Sequence, residues 1–399
     1  TDPRPPPGRH PNPTHKKAAR RRHPHIPPEA RRIRGEPRNP RRWYPNYPDT
    51  LKPPLNRKFP PPMNPTLTPL NLAIIETVAR FRLMTTEQLH RALSAKREKL
   101  ASVENFSNIL RRLHSLGFVG RDWVAVRPAE RTAHAKPSAV WHLKPEHLKA
   151  ILAELERTER ADLYEPLRDY EVSVKDGAPL AENTLRHELA ITDFYSALDT
   201  DPARVALWLR TSPRHPDISR DVFFTQTDKK TSKKTERKLP LNPDGFHITH
   251  TPGTGSACFF LEMDMSTEAP EKLTNKFIAY VAYHQHNRFG EDIAAPLARR
   301  FRLPIEHPEA ATFRVLFVTP NARRRNDLLL KSRVFPMSNL FHFATLDDLK
   351  RDPYGALWRS KETFAPALDE YNERTHTEKA SILRDWAHAT LDALPPHTL

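Results

Sequence analysis

The sequence contains a single cysteine, Cys258, among 399 residues. One cysteine excludes an intramolecular disulfide framework, and no CxxC motif or Cys/His cluster has the spacing of a zinc site. No apolar run approaches the length of about 20 residues that a membrane-spanning helix needs. The N-terminus also lacks the apolar core of a secretory leader. These absences predict a cytoplasmic protein that has no membrane partner.

A phosphate-binding loop is also missing. The chain has no glycine-rich segment ending in Gly-Lys-Ser/Thr, the motif whose backbone amides cradle nucleotide phosphates in P-loop enzymes. The sequence therefore does not indicate a nucleotide-driven motor.

Positive charge is concentrated at the N-terminus. The formal net charge is +16, and residues 1–62 hold 16 Lys/Arg against 4 Asp/Glu, with 18 of the 41 prolines. Such a segment cannot bury a core, so we predict that residues 1–62 form a disordered tail. Its expected partner is the DNA backbone, which it would bind by releasing counterions. The alternative is a solubilising tail without a partner.

Residues 63–144 are predicted to form a winged helix-turn-helix DNA-binding domain. Apolar spacing indicates three helices, with N-caps at Thr68 and at Thr85 or Thr86, and a left-handed Gly117 after the third. Two strands separated by a basic loop follow. This order is typical of winged helices, whose third helix enters the major groove while the wing covers the backbone. A protein-interaction domain of the same shape is the alternative.

The third predicted helix has an apolar face and a polar face. Its predicted core residues are Val103, Phe106, Ile109, Leu110 and Leu113. The candidate DNA-binding residues are Asn105, Asn108, Arg111 and Arg112 on its polar face, with Lys233 and Lys234 from a later lysine-rich loop.

The remaining chain divides into three parts. Residues 145–181 have a charged amphipathic pattern and are predicted to be a helical linker. Residues 182–350 show the order helix, three strands, helix, strand, helix, strand. This order predicts an α/β sandwich around a mixed sheet. Residues 351–399 are expected to add C-terminal helices.

Three carboxylates lie on or beside two predicted strands of the segment 182–350. Asp244 opens one extended segment, and Glu262 and Asp264, two apart in the next, point to the same side. The residues before Glu262 are apolar, and an unpaired carboxylate in a buried strand is costly. A Mg²⁺ or Mn²⁺ ion bound by Asp244, Glu262 and Asp264 would supply the partner. Solvated acids beyond the strand end are the alternative.

The element order, with Pro-Asp on one strand and Glu-x-Asp on the next, resembles the PD-(D/E)xK fold of restriction endonucleases. More closely, the chain resembles the replication-relaxation family of bacterial plasmids and other mobile elements, over roughly residues 66–330. The similar segments are TPLNLAIIETVARFRLMTTEQL, RRLHSLGFV, HELAITDFYSAL, PDGF, FFLEMDMSTE, KLTNKFIAYVAY and FRVLFVT. The resemblance implies a DNA-handling role and no specific reaction. The partners it implies are double-stranded or nicked DNA and other plasmid replication or transfer proteins.

The nuclease pattern places a lysine two residues after its glutamate, where this chain has Asp264. Lys276, in the following helix, could reach the same volume, and a lysine there would orient the attacking water or stabilise the transition state. His187 lies on the inward side of its helix and is predicted to orient a metal ligand or a DNA group. The candidate catalytic residues are therefore Asp244, Glu262, Asp264, Lys276 and His187.

Three functions remain open from the sequence. The first is a metal-dependent nuclease that nicks or cleaves DNA during plasmid replication or mobilisation. The second is a non-catalytic replication protein with a degenerate nuclease fold, and the third is a transcriptional regulator of the mobile element. A relaxase with a tyrosine nucleophile is not favoured. His284 and His286 are predicted to lie in one helix, where residues two apart project about 200° apart and cannot bind one ion.

Overall fold

The computed structural model describes most of the chain after residue 66. The described residues are 67–95, 100, 102–124, 138–159, 181–201, 203–211, 218–227, 230–251, 253, 255–337, 339–375, 378 and 380–397. The predicted tail at 1–62 and the end of the predicted linker at 160–180 lie outside them. Within these ranges, no helix combines the length and the apolar character needed to cross a membrane.

The N-terminal part alternates helices with three short strands. Its elements are α1 (Pro69–Phe81), β1 (Leu83–Thr85), α2 (Thr86–Ser94), α3 (Val103–Ser115), β2 (Gly120–Val124), β3 (Ser138–His142) and α4 (Pro145–Arg157). The strands form an antiparallel sheet in the order β1-β3-β2. The sequence did not predict β1, because three residues between two helices show no periodic pattern.

Local sequence explains where these helices begin and end. Thr68 accepts a hydrogen bond from the Asn71 amide at 3.2 Å, and Thr85 forms a reciprocal capping box with Gln88. Gly117 follows α3 with φ +80°, as predicted for a left-handed C-cap. Phe106, Leu110 and Leu113 are buried as predicted, whereas Val103 in the first turn is 38% exposed, so its predicted core position was wrong.

The larger part of the protein combines strands with flanking helices. Its strands are β4 (Val205–Arg210), β5 (Arg220–Thr227), β6 (Lys234–Leu241), β7 (Gly245–Thr251), β8 (Gly255–Met263), β9 (Phe313–Thr319), β10 (Phe341–Thr345) and β11 (Arg359–Ser360). Its α-helices are α5 (Glu182–Leu198), α6 (Pro270–Gln285), α7 (Ala295–Phe301), α8 (Ala322–Ser332), α9 (Leu346–Arg351), α10 (Lys361–Arg374) and α11 (Ala380–Ala393). A π-helical turn at Gly290–Ala294 and a 3₁₀ turn at Pro308–Ala310 lie before β9.

Six of these strands form one sheet in the order β11-β10-β9-β8-β7-β4. The central strands β8, β9 and β10 are parallel, and the outer strands β4, β7 and β11 run antiparallel to their neighbours. The predicted mixed sheet in an α and β protein is therefore confirmed. Strands β5 and β6 form a separate two-stranded ribbon. The lysine-rich segment was predicted to be a loop, but Lys234 begins β6, and Lys233 comes directly before it.

Each face of the sheet packs against a different layer. Phe260 of β8 points to the layer of α6, where it joins a core that contains Phe277. Its neighbour Leu261 points the other way, into a core shared with Phe194 of α5 and Leu110 of α3. Because side chains alternate along a strand, one strand supplies both cores. The N-terminal part thus shares a continuous core with one face of the sheet.

Candidate active site

Asp244 and Glu262 come together where β7 begins and β8 ends. Gly245 is the antiparallel partner of Leu261, so the residues just beyond this pair, Asp244 and Glu262, lie on adjacent strands. The Asp244 amide donates to the Leu261 carbonyl at 2.9 Å, and its carboxylate accepts from the Met263 amide at 2.7 Å. These two bonds bracket Glu262 and fix Asp244 beside it.

The glycine after Asp244 is required by packing. A Cβ atom at Gly245 would collide with the Tyr195 hydroxyl and come within 3.1 Å of the Leu209 carbonyl. The Pro-Asp-Gly segment therefore lets β7 start directly against α5 and β4. This close approach holds Asp244 at the strand end.

Glu262 is buried, with 2% of its surface exposed, and both of its carboxylate oxygens have partners. Its Oε2 lies 2.6 Å from Lys276 Nζ, and its Oε1 accepts from the Tyr280 hydroxyl at 2.6 Å. Lys276 and Tyr280 are one turn apart on α6, so one helix face reaches both oxygens. Burial and the nearby Asp244 raise the pKa of Glu262 to about 7, while Lys276 and Tyr280 oppose that rise.

Lys276 bridges two carboxylates. Its Nζ lies 2.6 Å from Glu262 and 2.9 Å from Glu268, which precedes α6. Burial alone would lower the pKa of Lys276, but Glu262, Asp244 and Glu268 together raise it well above its ordinary value. Lys276 is therefore a fixed cation at neutral pH.

His187 approaches Asp244 from α5. Its Nε2 lies 3.3 Å from Asp244 Oδ2, and its side chain remains 29% exposed. Burial would lower the pKa of His187, yet the Asp244 carboxylate raises it above its ordinary value. Burial would in turn raise the pKa of Asp244, but His187 and Lys276 lower it, so Asp244 stays ionised. The pair therefore joins an ionised carboxylate to a histidine that can carry a proton near neutral pH.

Asp264, the third acid of the predicted metal site, has other partners. It lies just past the end of β8, where its carboxylate accepts from the Ser266 amide and from Arg324 Nε, both at 2.7 Å. Arg324 belongs to the first turn of α8. The structure thus brings Asp244, Glu262, Lys276 and His187 together and ties Asp264 to a separate helix. Among the described residues, no three or more His, Cys, Asp or Glu side chains are grouped so that they could hold a metal ion.

Sequence reasoning missed three residues of this region, Glu268, Tyr280 and Arg324. Tyr280 could have been found, because it lies four residues after Lys276 and must share its helix face. Glu268 and Arg324 depend on how a loop and a distant helix pack, which no local pattern specifies. Lys272, on the same face of α6, is 68% exposed and lies 3.4 Å from Glu268.

The candidate DNA-binding residues are exposed. Asn105, Asn108, Arg111 and Arg112 lie on the solvent side of α3, and Arg111 hydrogen-bonds the Asn108 side chain at 2.9 Å. Lys233 and Lys234 are exposed where the β5–β6 ribbon enters β6. These six residues form two surfaces, one on α3 and one on the ribbon.

Comparison with known proteins places the chain in a family. The replication-relaxation family model matches residues 75–293, which is more than half of the chain. The chain belongs to the replication-relaxation family. No curated protein and no solved structure gives a significant match.

The replication-relaxation match extends from α1 to the π-helical turn after α6. It therefore includes the polar face of α3, the β5–β6 ribbon and the whole cluster of His187, Asp244, Glu262 and Lys276. Arg324, the partner of Asp264, lies outside it. The part of the chain that resembles the family thus contains both the exposed basic surfaces and the buried acidic cluster.

Proposed function

We propose that this replication-relaxation protein binds DNA of plasmids or other mobile elements during replication or mobilisation, and nicks or cleaves it with a divalent metal ion. The observation that carries the proposal is the pairing of Asp244 and Glu262 at neighbouring strand ends, with Lys276 in contact with Glu262 at 2.6 Å. Two carboxylates beside a fixed cation and a partly exposed histidine are the side chains that phosphodiester cleavage needs.

The donor chemistry of the cluster fits Mg²⁺ or Mn²⁺. Asp244 and Glu262 supply hard oxygen ligands, and Mg²⁺ commonly uses one or two carboxylates and takes its other ligands from water and phosphate. The carboxylates of Asp244, Glu262 and Glu268 outnumber the cations Lys276 and His187. A bound divalent ion would polarise the phosphoryl group and activate a water molecule. Asp264, held by Arg324, is not needed as a ligand.

The protein side chains have distinct roles in this proposal. Lys276 keeps its positive charge beside Glu262 and stabilises negative charge on the scissile phosphate. His187, protonated beside Asp244 and partly open to solvent, can donate a hydrogen bond to a phosphate oxygen. Tyr280 holds Glu262 in a single orientation through its 2.6 Å hydrogen bond. Each role uses a contact that is already present in the folded protein.

DNA binding is assigned to the N-terminal part, which we propose is a winged helix. The order of three helices and a small antiparallel sheet supports this assignment, and so does the exposed polar face of α3. Asn105, Asn108, Arg111 and Arg112 would then lie in the major groove. Lys233 and Lys234, at the tip of the β5–β6 ribbon, would contact the DNA backbone. The basic tail at 1–62 would add phosphate contacts that do not depend on sequence.

A second candidate is a DNA-binding replication or transcription regulator without catalysis. It is favoured by the saturation of Glu262, whose two oxygens already bind Lys276 and Tyr280. The position two residues after Glu262, where the nuclease pattern has lysine, holds Asp264. In this candidate the buried cluster stabilises the fold, and DNA binding is the entire activity.

The substitution Glu262→Gln separates the two candidates. The nuclease proposal predicts loss of Mg²⁺- or Mn²⁺-dependent cleavage of supercoiled plasmid by about 100-fold or more, since even partners of metal ligands are worth roughly 10–100-fold. Affinity for the same DNA should not change, because α3 is untouched. Glu271→Gln, an exposed acid on the same helix, is the matched control and should cleave like the wild type. A wild-type protein that binds plasmid DNA but never cleaves it with either metal would support the regulator.

A further inference from the structure

A cavity of about 240 Å³ lies on the face of the central sheet that α5 covers, opposite α6. Its floor consists of three cross-strand pairs of β7 and β8, namely His247↔Phe259, Thr249↔Ala257 and Thr251↔Gly255. The residues contributed by β8 become smaller along this row, from phenylalanine to alanine to glycine. The space above Ala257 and Gly255 is therefore not filled by the sheet itself.

His247 is a buried polar residue in the floor of the cavity. It is 2% exposed, and its Nδ1 hydrogen-bonds to no described residue. Its ring stacks on Phe259, with centroids 4.9 Å apart and planes inclined by 19°, which fixes its orientation. Burial lowers the pKa of His247 to about 3, so the imidazole is neutral at physiological pH. A buried polar nitrogen without a partner is costly.

The cavity has aromatic walls and an arginine at its rim. Phe194 of α5 and Trp358 lie on its walls, and both are almost fully buried. At the rim, the Arg204 guanidinium lies 5.0 Å from the centre of the Tyr354 ring and pairs with Asp201 at 3.1 Å. Aromatic walls accommodate a flat ring, and an exposed arginine at the rim suits an anionic substituent.

We propose that this cavity binds a single nucleotide unit, with the base inside against His247 and the phosphate outside at Arg204. A neutral imidazole nitrogen donates or accepts according to its tautomer, and a nucleobase edge offers both donors and acceptors. The volume lies below the range of roughly 300–1,000 Å³ typical of drug-sized ligand sites, so the base enters and the phosphate remains at the rim. The proposal does not depend on cleavage at Asp244 and Glu262, because no residue of that cluster lines the cavity.

The test is titration of the full-length protein with AMP, GMP, CMP and UMP, with adenosine and inorganic phosphate as partial ligands. We expect at least one nucleotide to raise the melting temperature and to change tryptophan fluorescence saturably. Trp358→Phe should remove that fluorescence change while the shift in melting temperature remains. Ala257→Leu fills the cavity, and His247→Phe removes the nitrogen, so each should weaken binding by about tenfold or more. Ala150→Leu, on an exposed position of α4, is the matched control and should bind like the wild type.

Two results would overturn the proposal. One is the absence of any saturable change with all four nucleotides at millimolar concentration. The other is equal binding by the Ala257→Leu and Ala150→Leu variants. If Ala257→Leu loses its far-ultraviolet circular dichroism, His247→Phe, which preserves an aromatic ring, decides the question. A single-stranded oligonucleotide that competes with the bound mononucleotide would identify an extruded base of DNA as the source, and failure to compete would identify a free nucleotide.

Discussion

The charged residues on the polar face of α3 are exposed, whereas the carboxylate of Glu262 is buried. Arg111 and Arg112 are exposed, and neither has an acidic partner within the described part of the chain. Glu262 is 2% exposed, and each of its oxygens has a partner at 2.6 Å. Charge on α3 is free for a partner molecule, whereas charge at Glu262 is part of the fold. A ligand of Glu262 must therefore compete with Lys276 and Tyr280.

The largest effect on stability should come from removing the cation beside Glu262. Lys276→Met should lower the free energy of unfolding by about 3–5 kcal/mol near pH 8, because a buried carboxylate loses its counter-ion. The raised pKa of Glu262 sets the pH dependence, since its protonated form needs no cation. Because removal of Lys276 raises the Glu262 pKa further, the loss should shrink as the pH falls toward about 7 and be smallest below that pH.

Urea denaturation near pH 8 and near pH 5.5 measures this loss. Lys272→Met, one turn earlier on α6 and 68% exposed, is the control and should change stability by less than about 0.5 kcal/mol. The double variant Lys276→Met, Glu262→Gln should recover part of the lost stability. No recovery would mean that Lys276 does not act through Glu262.

A smaller effect is expected at Asp264. Asp264→Asn weakens the contact with Arg324 and should cost about 1–3 kcal/mol of unfolding free energy, the range for an impaired buried hydrogen bond. Because Asp264 is not a ligand in our proposal, the Mg²⁺ concentration that gives half-maximal cleavage should not change. Asp385→Asn, an exposed acid on α11, is the control. Unchanged stability together with a changed Mg²⁺ concentration for half-maximal cleavage would indicate that Asp264 binds the metal ion.

The buried histidine His247 should make the stability of the fold depend on pH in the acid range. The pKa of buried His247 is about 3 in the folded protein and roughly 6.5 when unfolded. The unfolded state therefore binds the extra proton first, and stability falls as the pH drops from about 6.5 toward 3. His247→Phe should reduce this fall by about 1.4 kcal/mol per pH unit. His286→Phe, at an exposed position after α6, is the control and should leave this fall in stability unchanged. Equal pH profiles would show that His247 is not kept neutral by burial.

The smallest effect on stability is expected on α3. Arg111→Ala with Arg112→Ala should change the free energy of unfolding by less than about 0.5 kcal/mol. DNA affinity should fall, and the slope of log affinity against log salt should decrease by about 2 if both arginines contact phosphates. Arg299→Ala with Arg300→Ala, an exposed pair on α7, is the control. Equal salt slopes for the two double variants would show that DNA does not contact Arg111 and Arg112.

The sequence predicted α3 well because helical periodicity is a local property. The buried positions Phe106, Leu110 and Leu113 follow from spacing alone, and Gly117 marks the end. Val103 was the exception, since a first-turn residue packs only if another element covers it. The strand β1 was missed for a related reason, because its pairing with β3 is a tertiary contact.

The acidic cluster was predicted only in part. The predicted strands brought Asp244 and Glu262 together, and the resemblance to the nuclease pattern suggested Lys276. The partners that decide their chemistry, Tyr280 and Glu268, depend on the rotation of α6 against the sheet. Asp264 was grouped with the other acids because alternation along a strand was assumed to continue beyond Met263, where β8 ends. Asp264 lies just past that end, and Arg324, sixty residues away in the chain, is its partner.

The contacts of α5 with the N-terminal part limit which chimeras of related proteins can fold. Gln88 Nε2 donates to the Leu189 carbonyl at 3.0 Å, and Thr192 donates to the Leu83 carbonyl at 2.9 Å. The same helix carries His187 to Asp244. In a chimera joined between α2 and α5, Thr192 keeps a main-chain acceptor, but the bond to the Leu189 carbonyl persists only if the other parent also has glutamine at position 88. Exchange between relatives should therefore be best tolerated when the α1–α3 segment and α5 are inherited from the same parent.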